Sequence, residues 1–195
     1  MENEIQPGLD GDFQLELDKL EACGNLRVLP ETCSDGKWIE AGGRRMLNLS
    51  SNDYLGLASD KALREEFLRT VEERDLCFSS SSSRLLTGNF PAYRELESLL
   101  ASLFGAESAL VFSSGYHMNT GILPAVTDAN TLILADKLVH ASLIDGIRLS
   151  AAKCIRYRHQ DYAQLENLLA KHHGEYHRII VVTESVFSMD GDVAS

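Results

Sequence analysis

With 195 residues, 44% of them hydrophobic and 24% charged, the chain has a globular composition and enough length to bury a core. Its formal net charge of -11 excludes a broad nucleic-acid-binding surface, which needs clustered Lys and Arg. No apolar run is long enough to cross a membrane, and the acidic start MENEIQPGLDGDF lacks the basic and apolar regions of a signal peptide, so a cytoplasmic location is expected.

Residues 12–23 place Phe13, Leu17 and Leu20 on one helical face. Residues 37–49 read as two short strands around Ala41-Gly42-Gly43-Arg44, a hairpin signal. After NLSSNDYLGLASD a helix follows, capped by Ser59 or Asp60, with Leu63, Phe67 and Val71 recurring at helical spacing. A serine run, residues 79–83, is the one low-complexity stretch. The next helix follows Asn89, turns Leu96, Leu99, Leu100 and Leu103 inward, and stops at Gly105.

From there strands and helices alternate. The pattern predicts a strand at 109–112, a helix from about His117, a strand at 132–134 and a helix at 141–149. A strand at 154–157, a helix at 162–170 and a strand at 179–183 complete the series. Short apolar strands alternating with helices predict an α/β fold with a mostly parallel sheet covered on both faces. Ligands of such sheets bind beyond the carboxyl ends of the strands, so the turns after Phe112, Leu134 and Thr183 are the candidate sites.

The first turn reads SSGYHMNTG. Gly115 permits a close backbone approach, and free N–H groups at a helix N-terminus attract a phosphate. Ser113 and Ser114 offer hydroxyls, and Tyr116 can shield a flat ligand. The second turn, ADKLVHAS, sets Asp136 and His140 beside a helix start, where an imidazole can stack on a ring or move a proton. The third, SVFSMDGD, offers Ser185, Ser188, Asp190 and Asp192 around Gly191, without the ligand alternation of a calcium loop.

Other features point to no chemistry. Cys23, Cys33, Cys77 and Cys154 fit no zinc spacing and are expected to be reduced, structural thiols. The basic stretch from Lys153 to His159 reads as a strand with solvated charges, and His172, His173 and His177 as a surface loop.

The ordered segments SSNDYLGLASD, SSRLLTGN with YRELE, FSSGYHMNTG, DKLVHASLIDGIRLS and VVTESVFSMDGD resemble the alpha-oxoamine synthases. These are fold type I enzymes dependent on pyridoxal phosphate (PLP), and the likeness runs over about residues 12–195. The resemblance implies that the Gly115–Tyr116 backbone holds the cofactor phosphate, that His140 stacks on its ring near the substrate, and that Ser188 contacts it. It implies substrate-facing roles for Arg27 and Asn52. The reaction it implies is a decarboxylative condensation of an amino acid with an acyl thioester. L-alanine and a pimeloyl thioester are the first expectation, and glycine with acetyl-CoA is the alternative. A non-catalytic PLP-binding fragment is a third reading. A homodimer with its active site at the subunit interface is also implied, with partners limited to the amino acid, the acyl-CoA or acyl-carrier-protein donor and the second subunit.

Two family motifs have no match: the aspartate segment that faces the cofactor ring nitrogen, and the segment carrying the lysine that binds the cofactor covalently. Lys19, Lys37, Lys61, Lys137, Lys153 and Lys171 all lack that context, so no catalytic residue is assigned. The chain is therefore expected to be the N-terminal half of the family enzyme. Residues 1–52 are read as part of the small domain and residues 53–195 as the first part of the PLP-binding large domain. Residues 79–82 are serines where the family usually carries glycines; serine there can still pack close to a partner subunit, but a strained glycine conformation would cost more.

Overall fold

The computed structural model describes residues 7–72 and 76–194, with side chains from residue 11 onward. The chain forms two compact units, Met1–Ser79 and Ser80–Ser195.

The first unit begins with α1 (Pro7–Ala22). A three-stranded antiparallel sheet follows, formed by β1 (Thr32–Asp35), β2 (Trp38–Ala41) and β3 (Arg44–Leu47) in that order. The expected hairpin is β2 with β3, closing on the Ala41↔Arg44 pair. β1 is an addition to the two strands expected. TCSD shows no apolar alternation, but the Gly36-Lys37 turn returns the chain so that Asp35 pairs with Trp38. A single 3-10 turn (Leu57–Ser59) leads into α2 (Lys61–Thr70). Asp60 caps α2, accepting the Leu63 N–H at 3.0 Å. No described residue of this unit is fully buried, and the apolar faces of α1 and α2 are open to solvent.

The second unit holds α3 (Pro91–Phe104), α4 (Gly115–Val126), β4 (Thr131–Asp136), α5 (Ala141–Leu149), β5 (Lys153–Tyr157), α6 (Tyr162–His172) and β6 (Arg178–Val182). The sheet order is β5-β4-β6, with both pairings parallel. β4 lies in the centre, and all six of its residues are buried. Successive side chains of a strand point to opposite faces. Ile133 and Ala135 therefore pack with Leu123 of α4, Ile147 of α5, Val182 and Phe187. Leu132 and Leu134 pack on the other side with Tyr157 and with Leu165, Leu168 and Leu169 of α6. The mostly parallel sheet with helices on both faces, expected from the alternation, is present.

α4 and α5 pack closely enough to require a glycine. A Cβ at Gly146 would lie 2.3 Å from the backbone oxygen of Asn119 and 3.1 Å from Leu123 Cδ1. Gly105 ends α3 in the left-handed region, φ +62°, as expected of a helix-stopping glycine. Ser81 also has a positive φ, +53°, a conformation that favours glycine and costs more for serine.

Three expectations need correction. Residues 109–112 are irregular and form no strand. Their backbone groups are engaged elsewhere: Val111 N–H donates to Glu97 at 2.8 Å, and its carbonyl accepts from Arg84 at 3.0 Å. The face of α3 carrying Leu96, Leu99 and Leu103 is exposed, because no other described helix or strand of the second unit lies closely along it. His172 is not in a surface loop. It is the buried last residue of α6, its ring paired with Glu175 at 2.6 Å. Lys153, Arg156 and Arg158 are solvent-exposed as expected, and the four cysteines are free thiols.

Candidate functional site

Arg84 fixes the approach to α4. Its guanidinium makes two bonds to the Glu97 carboxylate, at 2.7 and 3.0 Å, and lies over the Tyr93 ring at 4.2 Å. The hydrogen bond from Arg84, then the Val111 N–H, hold the Glu97 carboxyl below its ordinary range. The segment leading to α4 is thereby anchored through side chains rather than through a sheet.

α4 starts at Gly115 because Ser114 caps it, its hydroxyl accepting from His117 N–H at 3.1 Å. The N–H groups of Gly115 and Tyr116 have no acceptor within the helix or among the described side chains, and both residues are exposed. Ser113 lies beside them, 2.8 Å from the His117 ring, and lines an open groove of about 830 Å³ with Ser82, Arg84, Tyr93, Leu110 and Phe112. Tyr116 keeps an exposed ring while its hydroxyl donates to Asp145 at 3.2 Å, which raises its pKa.

His140 stands four residues past the carboxyl end of β4 and is the N-cap of α5. Its Nδ1 accepts from Ser142 N–H at 3.2 Å and lies 2.7 Å from the Ser142 hydroxyl. Asn119 Nδ2 donates to that hydroxyl at 2.9 Å. The donation runs from Asn119 to Ser142 to Nδ1, so the neutral ring carries its proton on Nε2. The His140 N–H donates to Glu184 just past β6. Asn119, Ser142 and Glu184 are positioning groups that sequence reading missed. The only signal was their presence in the same strand-end segments.

Ser188 is exposed in the turn after β6. A Val186↔Val193 bridge and the Gly191 N–H to Phe187 carbonyl bond, 2.7 Å, close that turn, and the Phe187 side chain anchors it in the core. The second unit thus sets Gly115 and Tyr116 at a helix start, and His140 and Ser188 in the turns after β4 and β6. Arg27 and Asn52 belong to the first unit. Both are exposed, and the Asn52 carbonyl accepts from Tyr54 N–H at 2.9 Å. Lys137 is exposed just past β4.

The family model described as aminotransferase class I and II matches residues 44–195. The chain belongs to that family. Among the curated members, the 8-amino-7-oxononanoate synthase of Haemophilus ducreyi is 61% identical over 185 residues, covering 93% of this chain and 48% of the relative. The chain therefore spans about half the length of such relatives. A serine palmitoyltransferase from S. paucimobilis with a bound PLP–myriocin aldimine superposes with TM-score 0.80 at 27% identity, over 97% of this chain and 48% of that one. The 8-amino-7-oxononanoate synthase of Francisella tularensis superposes with TM-score 0.58 at 30% identity, over 74% of this chain and 38% of that one. The family members it resembles are alpha-oxoamine synthases, and the fold is the fold type I architecture expected.

Proposed function

We propose that the protein carrying this sequence is a PLP-dependent acyltransferase that condenses L-alanine with a pimeloyl thioester, giving 8-amino-7-oxononanoate for biotin biosynthesis. The observation that carries the reading is that the second unit holds a free helix N-terminus at the start of α4, together with an oriented imidazole and an exposed hydroxyl in the turns after β4 and β6. The 61% identity to the Haemophilus ducreyi enzyme supports the choice of substrates.

The residues present fit the phosphate and ring of PLP. Two unpaired N–H groups at Gly115 and Tyr116 suit a dianion at the positive end of α4, with Ser113 as a further donor. His140 offers a flat ring whose plane is fixed by Ser142, and Ser188 offers a hydroxyl donor. When bound, PLP supplies the electron sink that lets an amino-acid α-carbon lose its proton and form a carbon–carbon bond. The chain's own residues bind and orient. Gly115 and Tyr116 hold the phosphate, and His140, protonated on Nε2, can donate a hydrogen bond to a substrate oxygen. Arg27 and Asn52 are the proposed substrate contacts. The covalent lysine is not among this chain's six. We place the protein in the cytoplasm as a homodimer; among the described residues no helix is long and apolar enough to cross a membrane.

The deciding experiment is turnover by the full-length protein with alanine or glycine, crossed with pimeloyl or acetyl thioesters. Condensation of alanine with the pimeloyl donor is expected. Turnover confined to glycine and acetyl-CoA overturns the assignment.

A further inference from the structure

One imidazole touches the turns that follow all three strands of the second unit. Asp136 closes β4, His159 lies two residues past β5, and Asp192 lies in the turn after β6. His159 Nδ1 is 2.9 Å from Asp136 Oδ1, and Nε2 is 2.6 Å from Asp192 Oδ2. A carboxylate oxygen only accepts, so both ring nitrogens donate and the ring is a cation. Its edge also packs on Phe187, ring centroids 4.5 Å apart.

Each carboxylate passes this contact on to its own turn. Asp136 is buried and accepts from Leu138 N–H at 2.8 Å and Gln160 N–H at 2.9 Å, which fixes the start of the loop leading to His140. Asp192 Oδ2 also accepts from Gln160 Nε2 at 2.8 Å, and the Asp192 carbonyl accepts the Phe187 N–H at 2.9 Å, next to Ser188. Asp192 Oδ1 is buried with no hydrogen-bond partner among the described residues, so the side chain's hydrogen bonds all run through Oδ2. Gln160 holds φ at +52°, a conformation uncommon for its side chain. Surroundings that over-determine the backbone retain such a residue, and three hydrogen bonds do so here.

We propose that His159 is a positioning residue, an imidazolium that clamps the turns after β4, β5 and β6 and thereby fixes His140 and Ser188 relative to one another. The clamp rests on the reading of those two residues as cofactor contacts only for its purpose, not for its existence. The carboxylates of Asp192 and then Asp136 raise the His159 pKa against the opposing effect of burial. For Asp136, burial favours the neutral acid, but the Leu138 and Gln160 N–H groups and His159 outweigh it and keep the carboxyl low. Both carboxyl groups that bond to the ring thus favour its charged form.

The test uses the full-length protein with His159→Ala and the milder Asp192→Asn, read by amide hydrogen exchange without cofactor. Exchange is expected to speed up together at Leu138 and Gln160 and at Phe187 and Gly191, while β4 amides stay protected. PLP titration of the same variants is expected to show weaker binding than wild type. In the wild type, nitrogen NMR is expected to find both His159 ring nitrogens protonated above pH ~6.5, where an ordinary imidazole has lost half its charge. Unchanged exchange, a change in one turn only, a neutral His159 ring, or unchanged PLP affinity in variants whose turns have loosened each overturn the proposal. A wild type that binds no PLP overturns the functional reading instead, and leaves the clamp to be judged by exchange and NMR.

Discussion

Leu63 and Leu134 both occupy positions that the sequence pattern assigns to the interior, Leu63 by helical spacing and Leu134 within a short apolar run. Leu63, on α2 of the first unit, is 49% exposed, whereas Leu134, in β4 of the second, is fully enclosed. The difference lies in what surrounds each element. α2 has a cap and an apolar stripe, but no described helix or strand of its own unit lies closely along that stripe. β4 has a strand on either side, α4 and α5 on one face and α6 on the other. A periodic pattern specifies an element locally. Burial, which provides most of the free energy, depends on partners remote in sequence. Exposed faces like those of α1, α2 and α3 are surfaces suited to an interface.

The sharpest way to break this comparison is to truncate both leucines. Leu134→Ala is expected to destabilise by about 2–5 kcal/mol, the range for a buried leucine leaving a cavity. Leu63→Ala should stay within about 0.5 kcal/mol, as for a surface substitution. Chemical denaturation of the two variants measures both, and comparable losses would mean that α2 is covered in solution. Gly146→Ala should come next, at about 1–3 kcal/mol, because the added methyl overpacks the α4–α5 contact against backbone that cannot rotate away. A melting temperature equal to wild type would show that the two helices can separate at little cost.

A smaller effect, confined to acid, is expected of Glu97→Gln. The folded carboxyl titrates below its unfolded value, so its contribution is present above pH ~4.3 and is lost as pH falls through the folded pKa. The wild type should therefore lose stability on acidification below pH ~4.3 more steeply than the variant. Parallel acid limbs in thermal melts would rule out a role for the Arg84–Glu97 pair in stability. The pair is partly exposed and screened by solvent, so the effect should rank below that of a core substitution.

These contrasts also mark what could be read from the sequence. β4 was legible because TLILAD is a short apolar run followed by a polar turn, and α5 because HAS opens an amphipathic stretch. Turns after strands are where ligands of a parallel sheet bind, and that His140 and Ser188 would lie in such turns was legible from the alternating pattern. His159 was not. Its neighbours Asp136 and Asp192 are 23 and 33 residues away, and only the β5-β4-β6 order brings the three together. The strand expected at 109–112 failed for the opposite reason. Its residues are apolar enough, but among the described residues no strand lies beside them, and Glu97 and Arg84 take up the backbone groups of Val111.

A local effect is expected of Asp60→Ala. Loss of the cap should weaken α2 by about 1 kcal/mol, since the Leu63 N–H then depends on water alone. α2 belongs to the first unit and β4 to the second, and the loss should appear as faster amide exchange at Leu63 and Arg64, whose N–H groups bond to the Asp60 side chain and carbonyl. The amides of β4 should keep wild-type protection. If Asp60→Ala instead lowered the protection of Ile133 or Leu134, the two units would unfold as one. The contrast between an uncovered first unit and a packed second would then describe burial but not cooperativity.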